Sequence, residues 1–196
     1  MAFSRDRDEL AAQAEALRLL SLLFDAPDPS LLPAIEGLRG LYRSDRRAVE
    51  LLDGMAESLA DDDPVPLKVD HARLFVGPFE MLAPPYASLH LESGDRVEGE
   101  VTRCIARCYA ECGLRLSPGE KRPADHIGYL FEFLYYLAFR FLREGGVERF
   151  DEMERFAGTY VLSWAPRLFA LMGEGASTGY FKSFAELGAE HLPIGL

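Results

Sequence analysis

The sequence contains no asparagine, and only 15 of its 196 residues are Val, Ile or Thr. The Asn-Gly turns that close tight hairpins are therefore absent. A β-rich fold lacks the branched side chains that pack best on a pleated surface. There is also no apolar run of about 18 residues, the least that spans a bilayer as a helix. Cysteine is limited to Cys104, Cys108 and Cys112. Such a cluster excludes the even, dispersed set that a disulfide framework needs. Met1 to Glu9 is polar and charged, unlike a secretory signal, so the cytoplasm is the expected compartment. Basic residues are outnumbered 21 to 32, giving a formal net charge of -11. That balance repels phosphate backbones and anionic membrane surfaces and attracts basic peptides. No G-x-S-x-G, H-E-x-x-H, Walker-type or G-x-G-x-x-G pattern occurs.

What is present favours helices. Leu occurs 30 times and Ala 23 times, residues that lose little side-chain freedom in a helix. Asp6 with Glu9 reads as a helix start, followed by Leu10, Ala14, Leu17, Leu20 and Phe24 at spacings of three and four. Pro27 and Pro29 stop that helix. A short helix is expected over 31–42, and a third places Ala48, Leu52, Met55 and Leu59 on one face. Pro66 can open the next helix, which ends at Gly77-Pro78. Further helices carry Val101, Ile105, Cys108 and Cys112, then Ile127 to Phe141, then Glu148 towards Trp164, where Pro166 kinks or ends the run. Short helices over 168–172 and 180–191 complete an all-α chain. It is read as one globular helical domain over residues 1–196, with a long loop at about 76–96 and a second at about 113–123.

Several residues are candidates for chemistry. The i, i+8 cysteines lie about 12 Å apart along a helix, so one metal cannot take all three. They read as small thiols on a core-facing stripe, with no metal and no cofactor. Asp125-His126 opens the most periodic helix, where a carboxylate suits the helix dipole and can cap it. The loop around Pro84, Pro85 and Tyr86, with Phe75, Phe79, Met81 and Leu82, can line a groove for an apolar peptide. Trp164 reads as a core residue. A small metal-dependent hydrolase using His71, His90, Asp125 and His126 is the alternative these residues leave open.

Three segments resemble one family. Asp70-His71-Ala72-Arg73-Leu74-Phe75-Val76-Gly77-Pro78 is similar to a Tyr-x-x-Leu-Phe-x-Gly-Pro helix end, with His71 near the aromatic position. Pro84-Pro85-Tyr86-Ala87-Ser88 is similar to Pro-Pro-Tyr-Glu-Ser, with Ala87 in place of the acid. Pro123-Ala124-Asp125-His126-Ile127, running into Glu132, is similar to Glu-x-Pro-Asp-His-Ile/Leu; Lys121 and Arg122 stand at its leading acid, with Glu120 before them. Trp164-Ala165-Pro166 also looks familial. Together these resemble the TorD/DmsD/NarJ family of redox-enzyme maturation chaperones.

The resemblance implies a TorD-like helical bundle with no catalytic residues. It implies a cytoplasmic chaperone that binds a molybdoenzyme catalytic subunit or its twin-arginine signal peptide until the cofactor is loaded. It further implies a monomer or domain-swapped dimer, and weak guanine nucleotide binding without a P-loop. The client-binding residues expected on this basis are Phe75, Pro84, Pro85, Tyr86, Ser88, Asp125, His126 and Glu132.

Overall fold

The computed structural model describes residues 2–61, 63–77, 80–93 and 97–194. Pro78, Phe79 and Gly94, which the sequence reading placed in or beside the long loop, lie outside them. Helix α1 (Arg7–Leu22) begins where Asp6 accepts the backbone N–H groups of Asp8 and Glu9, as the sequence predicts. A 3-10 turn (Pro29–Leu31) leads into α2 (Leu32–Leu41). Helix α3 (Arg46–Leu59) is capped by Asp45, and α4 (Val65–His71) has Pro66 in its first turn. One helical turn, α5 (Ser88–Leu91), interrupts the long loop, which the sequence reading left without regular structure. Then follow α6 (Glu100–Glu111), α7 (Ile127–Glu144), α8 (Val147–Ala157), α9 (Ala165–Gly175) and α10 (Gly179–His191). Among the described residues no strand forms; one isolated bridge joins Tyr86 to His126.

Two helices run on into wider π turns, α4 through Ala72–Val76 and α8 through Gly158–Leu162. The first is closed by the Gly77 N–H on the Ala72 carbonyl at 2.6 Å. Gly77 then takes φ 54°, a left-handed value that a side chain would resist. The run expected from Glu148 to Trp164 is thus α8 plus a π turn. Pro166 sits in the first turn of α9, where it costs no hydrogen bond.

Helix α1 packs against α7 and α2, α3 against α2 and α10, α10 against α9, and α8 against α7. Phe24, at the end of α1, joins these layers. Its ring meets Phe75, Phe131, Phe169 and Phe184 at centroid distances of 4.9 to 6.2 Å, mostly edge-on. Tyr180, Phe181 and Trp164 are also almost fully buried.

The cysteines correct the sequence reading. The buried stripe of α6 is Thr102, Ile105 and Tyr109. Cys104, Cys108 and Cys112 lie beside it, half-buried and free. Cys108 and Cys112 still pack against the core, so the row flanks the buried face of the helix and does not form it.

Candidate functional site

The loop carrying Pro84-Pro85-Tyr86 is stitched to the start of α7. The Ala87 N–H donates to the Asp125 carbonyl at 3.0 Å, and the Ile127 N–H donates to the Pro85 carbonyl at 2.8 Å. The Ser88 N–H donates to Asp125 Oδ2 at 2.9 Å. Asp125 is wholly buried, so its carboxyl group ties the loop to α7 and does not open to solvent. It does not cap the helix either. His126 does: its Nδ1 accepts the Gly128 N–H at 3.2 Å, which puts the neutral ring's proton on Nε2. Burial, then the nearby Arg122 charge, depresses His126 to a pKa of about 3. The ring is neutral at physiological pH, as its capping role requires. Asp125 Oδ1 and the Ser88 hydroxyl have no protein partner among the described residues, so this junction holds two buried polar atoms in reserve.

Tyr86 is half-buried and meets the His126 ring edge-on at 5.4 Å. Both line a cavity of about 390 Å³ whose other walls include Phe24, His71, Phe75, Met81 and Arg122. The surface is mainly aromatic and aliphatic. His71 donates from Nε2 to the Phe24 carbonyl at 3.2 Å, and burial lowers its pKa. The ring is therefore part of the wall.

The polar edge of this cavity is Arg122, which stands at the leading-acid position of the Pro-Ala-Asp-His-Ile segment. Its guanidinium donates to Asp25 at 2.6 Å, to Glu120 at 3.3 Å and to the Tyr129 hydroxyl at 3.2 Å, and it lies over the Tyr129 ring. It clasps the end of α1 to the loop before α7. The Tyr129 hydroxyl and the Arg122 groups hold Glu120 down at about 2, so that carboxylate stays charged. The clamp partners Asp25 and Arg122 are 97 residues apart, so nothing local in the sequence marks the clamp.

The structure divides the expected site residues. Phe75, Tyr86 and His126 meet at the cavity. Pro85, Ser88 and Asp125 are buried behind it, and Pro84 is half-buried at its back. There the Pro84 carbonyl accepts His90 Nε2 at 2.8 Å. Glu132 is exposed and lines a different groove, with Glu120 and Tyr129. The hydrolase constellation does not assemble. His71 bonds to a backbone carbonyl, His90 stacks on Trp164 at 4.6 Å, His126 caps a helix, and Asp125 is buried against Ser88. Among the described residues no three His, Cys, Asp or Glu side chains form a metal-holding group.

The fold is thus an all-helical frame with a stitched Pro-Pro-Tyr loop beside a mostly apolar cavity. The chain belongs to the nitrate reductase delta subunit family, whose family model matches residues 40–170. It is 26% identical to the Tat proofreading chaperone DmsD of Salmonella typhi over 115 residues, 59% of this chain and 53% of that protein. The chain thus spans about half the length of its DmsD relatives. Chaperone protein TorD of Vibrio vulnificus CMCP6 is 27% identical over 158 residues, 76% of this chain and 74% of that protein. The crystal structure of a proposed redox enzyme maturation protein from Archaeoglobus fulgidus has 27% identity and a TM-score of 0.51. The match covers 81% of this chain and 90% of that one. These relatives are named as chaperones or maturation proteins, which gives the hydrolase alternative no support.

Proposed function

We propose that this chain is a maturation chaperone for a molybdenum-cofactor oxidoreductase and not an enzyme. It acts in the cytoplasm by holding the twin-arginine signal peptide or the apo-form of the client until the cofactor is inserted, and it then releases the client for export or assembly. The observation that carries this reading is the cavity of about 390 Å³ lined by Phe24, Phe75, Met81, Tyr86 and the neutral His126. Its mostly apolar walls suit the hydrophobic stretch of a leader peptide, and rigid helices hold them in place. The chain's net charge of -11 draws in the basic end of such a peptide. Asp125 and Ser88 serve the site from behind by fixing the loop that presents Tyr86, and Pro84 and Pro85 stiffen that loop.

The test is a titration of the purified chain with a synthetic peptide in which two arginines precede a leucine-rich stretch, beside a scrambled peptide of the same composition. Saturable one-to-one binding of the first and none of the second is expected. Equal behaviour of the two peptides would overturn leader recognition.

A further inference from the structure

A second groove lies across the Arg122 clasp from the first. It encloses about 330 Å³ and is lined by Tyr109, Tyr129, Tyr135, Tyr136, Leu114 and Leu116. Tyr129, Glu132 and Tyr136 recur at spacings of three and four along α7, so one helix face supplies most of the wall. Tyr109 forms the floor, fixed by its hydroxyl on the Ala124 carbonyl at 2.9 Å.

The charges here are uneven. Glu120 and Glu132 line the groove against one cation, Arg115. Glu120 is engaged by Arg122, which also holds Asp25, so two carboxylates share one guanidinium. Glu132 is exposed and has no ion-pair or hydrogen-bond partner among the described residues. Tyrosine faces already attract guanidinium groups on this helix: Arg122 lies over Tyr129 at 5.0 Å, and Arg140 over Tyr136 at 5.7 Å. The groove is thus an aromatic cleft with an exposed carboxylate, Glu132, at its wall that has no partner among the described residues.

We infer that this tyrosine-lined groove is a recognition subsite for a basic side chain carried on an apolar peptide, with Glu132 as its counter-ion. The inference rests on the proposed chaperone reading and assigns the two grooves different halves of one ligand. The cationic half enters the tyrosine groove, and the apolar half enters the cavity of Phe75 and Tyr86. The Arg122 clasp is the ridge between them. Its Tyr129 and Glu120 partners face one groove while Arg122 itself faces the other, so the ridge fixes the register of the peptide.

The experiment uses two synthetic peptides, an Arg-Arg leader with a leucine-rich stretch and the same peptide with Gln-Gln in place of Arg-Arg. Both are titrated against wild type and Glu132→Gln. Glu132 is exposed, so the substitution should leave melting unchanged. The wild type should bind the Arg-Arg peptide at least tenfold more tightly, and Glu132→Gln should remove most of that margin while leaving the Gln-Gln peptide unaffected. In Glu132→Arg a third peptide, with Glu-Glu in place of Arg-Arg, should bind more tightly than the Arg-Arg peptide. Equal binding of the Arg-Arg and Gln-Gln peptides by wild type, or an unchanged margin in Glu132→Gln, would overturn the subsite and leave the chaperone reading standing. No binding of either peptide would overturn both.

Discussion

The face where α3 meets α10 and the junction where the Pro-Pro-Tyr loop meets α7 are built on different principles. On the first, Ala48, Leu52 and Met55 of α3 are wholly buried, and Arg47–Glu186 is an ion pair at the exposed rim. At the second, a few residues bury a carboxyl and an imidazole, each accepting a single backbone N–H, beside a hydroxyl with no partner among the described residues. Apolar packing is non-directional and tolerates small errors; buried polar groups need partners at fixed positions. The first region therefore sets stability, and the second sets the shape of the proposed binding surface.

The sharpest way to break this contrast is Leu52→Ala. It removes a fully buried side chain from α3 and should cost about 2–5 kcal/mol in urea denaturation. Peptide affinity, measured well below melting, should not change; a matching loss of affinity would show that the two regions are not separable.

Acidification probes the junction. His126 has a folded pKa of about 3, below its ordinary value of 6.5, chiefly because burial disfavours the charged ring. The unfolded chain therefore binds the proton first. The stability from the neutral ring is full above pH 6.5 and is lost as pH falls towards 3. His126 alone should contribute a slope of about 1.4 kcal/mol per pH unit in that window. His71 and His90 are also lowered by burial and act in the same direction. Replacing His126 by Asn, a good helix cap, should flatten the curve. An unchanged slope would remove His126 from the account.

Asp125→Ala sharpens the contrast from the other side. It leaves the buried Ser88 N–H without its acceptor and should cost about 1–3 kcal/mol. It should also weaken peptide binding, because the loop that presents Tyr86 loses one of its ties. A loss of stability with affinity intact would make Asp125 purely structural. The smallest effect belongs to Arg47→Ala, whose solvent-exposed pair with Glu186 should leave the midpoint of the same denaturation series nearly unchanged.

The two regions also differ in how well the sequence foretells them. The α3 face follows from the spacing of Ala48, Leu52, Met55 and Leu59, because a helix repeats every 3.6 residues and apolar side chains seek one side. Asp6 and Pro66 mark helix starts through local chemistry alone. The junction is set by contacts remote in sequence. Ser88 and Asp125 are 37 residues apart, and Asp25 and Arg122 are 97 apart. Neither pairing has a local signature. The motifs brought Pro85, Tyr86, Asp125 and His126 to notice, but not that His126 caps while Asp125 is a buried tie. The π turns after α4 and α8 were hidden as well, since a single widened turn shifts the apolar period by less than one residue spacing.

On the proposed function, the cavity beside the Pro-Pro-Tyr loop takes the client peptide. Tyr86 is its most direct probe, since the ring is half-buried and lines the cavity without holding the fold. The measurement is isothermal titration of an Arg-Arg leader peptide into wild type and Tyr86→Ala, with thermal melts alongside. Tyr86→Ala should bind at least about tenfold more weakly, a loss of about 1.4 kcal/mol, at a melting temperature close to that of wild type. Unchanged affinity in a folded Tyr86→Ala protein would contradict it.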